Sequence, residues 1–208
     1  DKYIKEDSTG KLRNITSSEY YTFAELALII LYVSTTVGES IIKEKELKTI
    51  NRIRLSKAKE SNILLSKLSL GFLVAVIQIL IVYIYSSLVL KVDWGENTLK
   101  FLAIFIVFGI FVSSLGLIFG MLCKKESSLS GILNAIIIVM CILGGCYTPI
   151  SMIIQIPILN KLMVISPVYW INTAISSMLC SIKTNAYYIS LIIPLTLSII
   201  MLVISLLL

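Results

Sequence analysis

The 208-residue chain contains no histidine, which removes the commonest general base and metal ligand. Charge is scarce as well. Only 14% of residues are charged against 57% apolar, with a mean hydropathy of +0.95, a balance that does not suit a soluble surface. The four cysteines, Cys123, Cys141, Cys146 and Cys180, have no metal or redox spacing, and three stand among apolar neighbours, where a thiol packs as a small hydrophobe. No G-x-x-x-x-G-K-[ST] run is present, so the chain lacks the loop that cradles nucleotide phosphates. Clusters of His, Asp or Glu at one membrane interface, as a lipid-modifying enzyme needs, are missing too. A non-catalytic protein that binds no cofactor is expected.

What remains is apolar sequence in long blocks. About 20 mainly apolar residues at ~1.5 Å rise cross the hydrocarbon, and five blocks qualify: 20–38, 68–90, 101–122, 130–147 and 187–208. The fold class is therefore all-α and polytopic. Residues 1–19 mix Lys, Asp, Ser, Thr and Gly and read as the end of an extracytoplasmic segment; the sequon Asn14-Ile15-Thr16 is a short pattern common by chance. The chain opens on Asp1 with no signal pattern, and it is expected to be a fragment lacking a first span, five of six.

Positive charge is concentrated between the first two spans. From Lys43 to Lys67 eight basic residues oppose Glu44, Glu46 and Glu60, which leaves +5 of the chain's +6 there. Beside apolar spans such residues act as topology signals rather than nucleic-acid ligands. With the connection 39–67 and Lys124-Lys125 in the cytoplasm, ten basic residues lie inside and eight outside. Tyr20, Tyr21, Tyr83, Tyr85, Trp94, Tyr147, Tyr169, Trp170, Tyr187 and Tyr188 then fall near the outer ends of spans, where aromatic residues collect. The expectation is a multi-pass protein of a bacterial cell membrane, its first residue outside and its last in the cytoplasm.

That sidedness constrains 149–180, which is broken by Pro149, Pro157 and Pro167. It should begin and end outside, as a re-entrant helical hairpin packed on the bundle. A full crossing by 158–180 is the rival arrangement. Polar residues inside spans are functional hypotheses by default, so Glu25, Gln78 and Asn134 are candidates for a translocation path. Glu25 is also close enough to the span's end to reach the headgroups. Gly109, Ser113, Gly116 and Gly120 recur at helical spacing in the third block, a stripe that admits another helix closely, whether in the same bundle or in a dimer.

Within 43–55 the apolar residues Leu47, Ile50 and Ile53 recur every three positions and Glu44 pairs with Lys48 at i,i+4. An amphipathic helix is expected, suited either to anionic lipid or to a groove in a partner. Ser56 would cap the helix that follows.

Glu44-Lys45-Glu46, Thr49, Arg52-Ile53, Ser56 and Leu65-Ser66-Lys67 resemble, in order and spacing, the first cytoplasmic connection of ABC-2 type transporter permeases. Lys48, Lys57 and Ser66 stand where that pattern usually has Gly, Pro and Gly. A second stretch, Gly144-Gly145 followed by Pro149, Pro157 and Ser166-Pro167-Val168-Tyr169-Trp170, is similar to the outer hairpin before that family's last span. The resemblance implies the permease subunit of an ATP-driven exporter of an amphipathic cargo such as a drug, peptide or lipid-like molecule. It implies a coupling helix docked on a separate cytoplasmic ATPase subunit that holds the ATP and magnesium, with a second permease copy or paralogue as the other partner in the lipid. Contacts with the ATPase would come from Glu44, Glu46, Leu47, Thr49, Ile50, Arg52, Ile53 and Arg54. A secondary transporter driven by an ion gradient is the alternative, and would show paired acidic residues at mid-membrane and an internal repeat.

Overall fold

A computed structural model describes residues 15–47, 60–92, 94, 98–180, 182 and 184–207. Among these the secondary structure is helical throughout: α1 (Ser17–Leu31), α2 (Val33–Glu46), α3 (Glu60–Leu88), α4 (Thr98–Leu122), α5 (Glu126–Gly144), α6 (Ile150–Ile153), α7 (Pro157–Met163), α8 (Pro167–Leu179) and α9 (Ala186–Leu207). Five runs are long and apolar enough to span a membrane: Ser17–Glu46, Asn62–Leu88, Thr98–Leu122, Glu126–Gly144 and Ala186–Leu207. The protein is an all-α, polytopic membrane protein.

Local sequence sets the boundaries. Thr16 starts α1 with a capping box: its hydroxyl accepts from the Glu19 N–H at 3.3 Å, and its own N–H donates to the Glu19 carboxylate at 3.0 Å, worth about 1 kcal/mol. Thr16, read from sequence only as part of a sequon, is thus a helix start. Tyr32 separates α1 from α2 but keeps helical angles (φ −67, ψ −14), so the two form one span of 30 residues, about 45 Å long. That run continues through Lys43 to Glu46, where a new surface helix was expected. No proline or glycine stands there to stop it, and Leu47 closes it by donating its N–H to the Lys43 carbonyl. Gly145 ends α5 in the left-handed region (φ 81), and the Cys146 N–H closes back on the Cys141 carbonyl at 3.0 Å, the six-to-one bond of a glycine-ended helix. Pro157 and Pro167 begin α7 and α8 at the first helical position, where proline's missing N–H costs nothing.

The centre of the bundle is α4, the most enclosed of the five runs. One side carries Phe101, Phe105, Phe108 and Phe111, all fully buried. Its small-residue stripe faces α2 and α3: a side chain at Gly116 would strike the Ser34 backbone, one at Gly120 would lie 2.8 Å from the Gly38 Cα, and one at Gly109 would lie 2.9 Å from the Ala75 Cβ. Ser113 is buried and satisfies its hydroxyl on the Gly109 carbonyl at 2.7 Å. The stripe is therefore consumed by packing inside the chain. On α9 the buried positions are small or short, Ser190, Pro194, Ser198 and Ser205, and each serine bonds its own helix. This lets α9 close on α4 and α8.

Between α7 and α8 the chain bends by 91°, the geometry of a broken span or of a re-entrant loop. Thirteen residues make α8 about 20 Å long, short of the ~30 Å hydrocarbon.

Candidate functional site

Three features collect the polar chemistry of the bundle. The first lies at the end of the bundle where the charged connection leaves α2 and returns in α3. The Lys67 ammonium pairs with the Glu44 carboxylate, joining α3 to α2. Lys67 is almost fully buried, so the pair is screened little by water. Lys45 donates to the Gly120 and Met121 carbonyls at 2.9 and 2.7 Å. A cation on the last carbonyls of a helix satisfies groups that lack an intrahelical partner and complements the dipole. Lys43 lies 3.8 Å from Glu126 at the start of α5 and 4.0 Å from Glu39. Three successive side chains of one turn, Lys43, Glu44 and Lys45, thus bind α2 to α5, α3 and α4. Beyond this ledge Glu46 is exposed and Leu47 is 73% exposed, at the edge of the 48–59 segment.

The second feature is a joint at the opposite end. The Tyr20 hydroxyl donates to the Gly145 carbonyl at 2.8 Å and accepts from the Ile150 N–H at 3.3 Å. Asn172, buried in α8, donates to the Gly144 carbonyl at 2.7 Å. Ser166 donates to the Met140 carbonyl at 3.0 Å, and the Cys146 thiol to the Ala24 carbonyl at 3.3 Å. Val168 packs where a side chain on Gly144 would be. The α5 terminus, the bent α6–α8 segment and α1 are one hydrogen-bonded unit. Trp94, expected at the lipid interface, is instead buried against Phe23, Tyr83 and Phe101, its indole N–H donating to Ser86 at 3.0 Å.

The third is a polar line on the first span. Phe23, Leu26, Ala27, Ile30, Ser34 and Val37 pack inward. Tyr21, Glu25, Tyr32 and Thr36 are exposed, and at ~100° per residue they fall within about 40° of a single line opposite the packed face. Tyr32 is at the middle of the 30-residue run. A helix that faces hydrocarbon carries apolar residues outward, as α3 does with Leu73, Ile77, Leu80, Ile81 and Ile84. The first span does the opposite, and an uncompensated carboxylate in hydrocarbon costs about 2.5–3.5 kcal/mol. Among the described residues no ion pair or hydrogen bond is made to Glu25.

The residues expected to matter are therefore scattered. Glu44, Glu46 and Leu47 are at the ledge, whereas Thr49, Ile50, Arg52, Ile53 and Arg54 lie outside the described residues, as does Ser56. Glu25 is exposed, Asn134 is half-buried on α5, and Gln78 on α3 has its carbonyl oxygen enclosed without a hydrogen bond; no hydrogen bond joins any two of the three. Among the described residues no group of three or more Cys, Asp or Glu could hold a metal ion. Sequence reasoning missed Lys45, Asn172, Tyr20 and the Tyr21–Thr36 line. The line was readable: its four positions share one face, and Glu25 had been considered alone.

The family model of the ABC-2 type transporter matches residues 8–180. The chain belongs to the ABC-2 type transporter family. No curated protein and no solved structure matches it. Membership makes the chain a membrane component of a transporter, and the match takes in the first span, the charged connection, the three runs that follow it and the bent α6–α8 segment, leaving α9 beyond its end.

Proposed function

We propose that the chain is the permease subunit of an ATP-driven exporter, and that the connection between α2 and α3 docks on a separate cytoplasmic ATPase subunit, which binds the ATP and magnesium. The observation that carries this reading is the ledge of Lys43, Glu44, Lys45 and Lys67, which ties both ends of the connection to α2, α3, α4 and α5. A push on 48–59 then reaches four spans at once, as a rigid-body mechanism of alternating access needs. The exposed Glu46 and Leu47 begin the docking surface. Thr49, Ile50, Arg52, Ile53 and Arg54 continue it. Two permease copies, identical or paralogous, would face each other across the line of Tyr21, Glu25, Tyr32 and Thr36, which gives those polar groups an aqueous path instead of lipid. The charged connection is cytoplasmic and the hairpin lies on the outer side.

Charge reversal at Glu46 tests the reading. Glu46→Lys should abolish co-purification of the ATPase subunit and ATP-driven transport while the chain still inserts. Undiminished ATPase binding by that variant would remove the docking assignment. Uphill transport that persists without ATP and collapses with the ion gradient would replace it by a secondary transporter.

A further inference from the structure

The outward line on the first span carries two acidic groups: Glu39, which faces Lys43, and Glu25, which has three exposed phenols around it. Tyr21 precedes Glu25 by one turn and Tyr32 follows by two; they are 38% and 43% exposed. Tyr147, 49% exposed, approaches from the turn after α5, close enough that the charge of Glu25 acts on its hydroxyl, as does Tyr32. The grouping therefore draws on two elements, α1 with its continuation and the α5–α6 turn.

No described cation neutralises Glu25. The basic residue on the same line is Lys43, 18 positions further along the helix and thus about 27 Å away, where it faces Glu39 and Glu126. A carboxylate with no described counter-ion is an attractor for positive charge, and tyrosine faces attract a cation through the ring quadrupole. Ile29, half-buried between Glu25 and Tyr32, adds apolar surface at the same level.

We propose that Glu25, with Tyr21, Tyr32 and Tyr147, selects a cationic amphipathic cargo, its charge against the carboxylate and its apolar body between the rings. This deepens the proposed function and rests on that reading for the location of the path. Anionic and zwitterionic cargoes without an exposed cation are disfavoured by the same carboxylate.

Binding by the full-length chain in lipid nanodiscs tests it without requiring the ATPase. The probes are tetraphenylphosphonium and its neutral relative triphenylphosphine oxide. The wild type should prefer the cation. Glu25→Gln should weaken the cation by about tenfold, equivalent to about 1.4 kcal/mol, and leave the neutral probe unchanged; Glu25→Asp should retain most of the cation affinity. Tyr32→Phe should keep the cation and Tyr32→Leu should lose it while both still bind the neutral probe as the wild type does, a pattern that a folding defect would not give. Equal affinity for both probes, or a Glu25→Gln variant that binds the cation as well as the wild type, would overturn the inference. Either result would leave the permease reading standing, because ATPase association is measured separately through Glu46.

Discussion

Gly116→Ala should be the most damaging single methyl in the bundle. At Gly116 a Cβ would meet the carbonyl oxygen, the Cα and the carbonyl carbon of Ser34, the last two at 2.8 and 2.9 Å. All three are backbone atoms, so no rotamer change can relieve the clash, and α2 must move away from α4. Restoring ordinary contact needs a shift of about 1 Å, and a gap of that size already forfeits a quarter to a half of each dispersion well along the interface. Gly120 lies against Gly38 on the same contact, so the loss spreads over more than a turn. Overpacking of this kind costs about 1–3 kcal/mol, and Gly116→Ala belongs at the upper end. Gly109→Ala should cost less, because its obstacle is the Ala75 methyl. Gly131→Ala on α5 meets nothing within 4 Å and should gain about 0.5–1 kcal/mol from helix propensity alone. Detergent-induced or thermal unfolding of the purified full-length variants would rank them. A neutral Gly116→Ala, or a Gly131→Ala as damaging, would refute the packing of this stripe inside the chain.

Glu44→Lys or Lys67→Glu alone should destabilise by about 2 kcal/mol, below the ~3–5 expected for a fully buried pair because the Glu44 side chain retains 28% exposure; the double exchange should restore much of the loss, measured as a double-mutant cycle. Tyr20→Phe should cost about 1–3 kcal/mol by leaving the Gly145 carbonyl and the Ile150 N–H without their partner, and should speed hydrogen exchange in α6 and α7 more than in α3.

The fold was legible because each span is a run of apolar residues long enough to cross, and because prolines 149, 157 and 167 mark helix starts as plainly in sequence as in structure. The intramolecular use of Gly116 and Gly120 was not, since a small-residue stripe admits any helix and only the approach of Ser34 and Gly38 decides which. The helix of the first span runs on past residue 38 into the charged connection for a related reason. Charged residues normally end a span, but Glu44 and Lys45 are held by Lys67 and by the end of α4, so the helix continues among partners that lie about 23 and 75 positions away in sequence. Asn172 and Tyr20 were illegible because their partners are backbone carbonyls and an amide, and the sequence does not mark which of those are left open. The cysteines illustrate the converse: Cys146 packs as a buried thiol, as read, and bonds the Ala24 carbonyl.

The central claim is that the connection leaving Leu47 meets an ATPase subunit. A photo-reactive amino acid at position 47, where the native leucine is 73% exposed, tests it in intact cells. Irradiation should cross-link the full-length chain to a soluble-type subunit that carries a G-x-x-x-x-G-K-[ST] motif, identified by mass spectrometry. Cross-links to lipid alone would contradict the account.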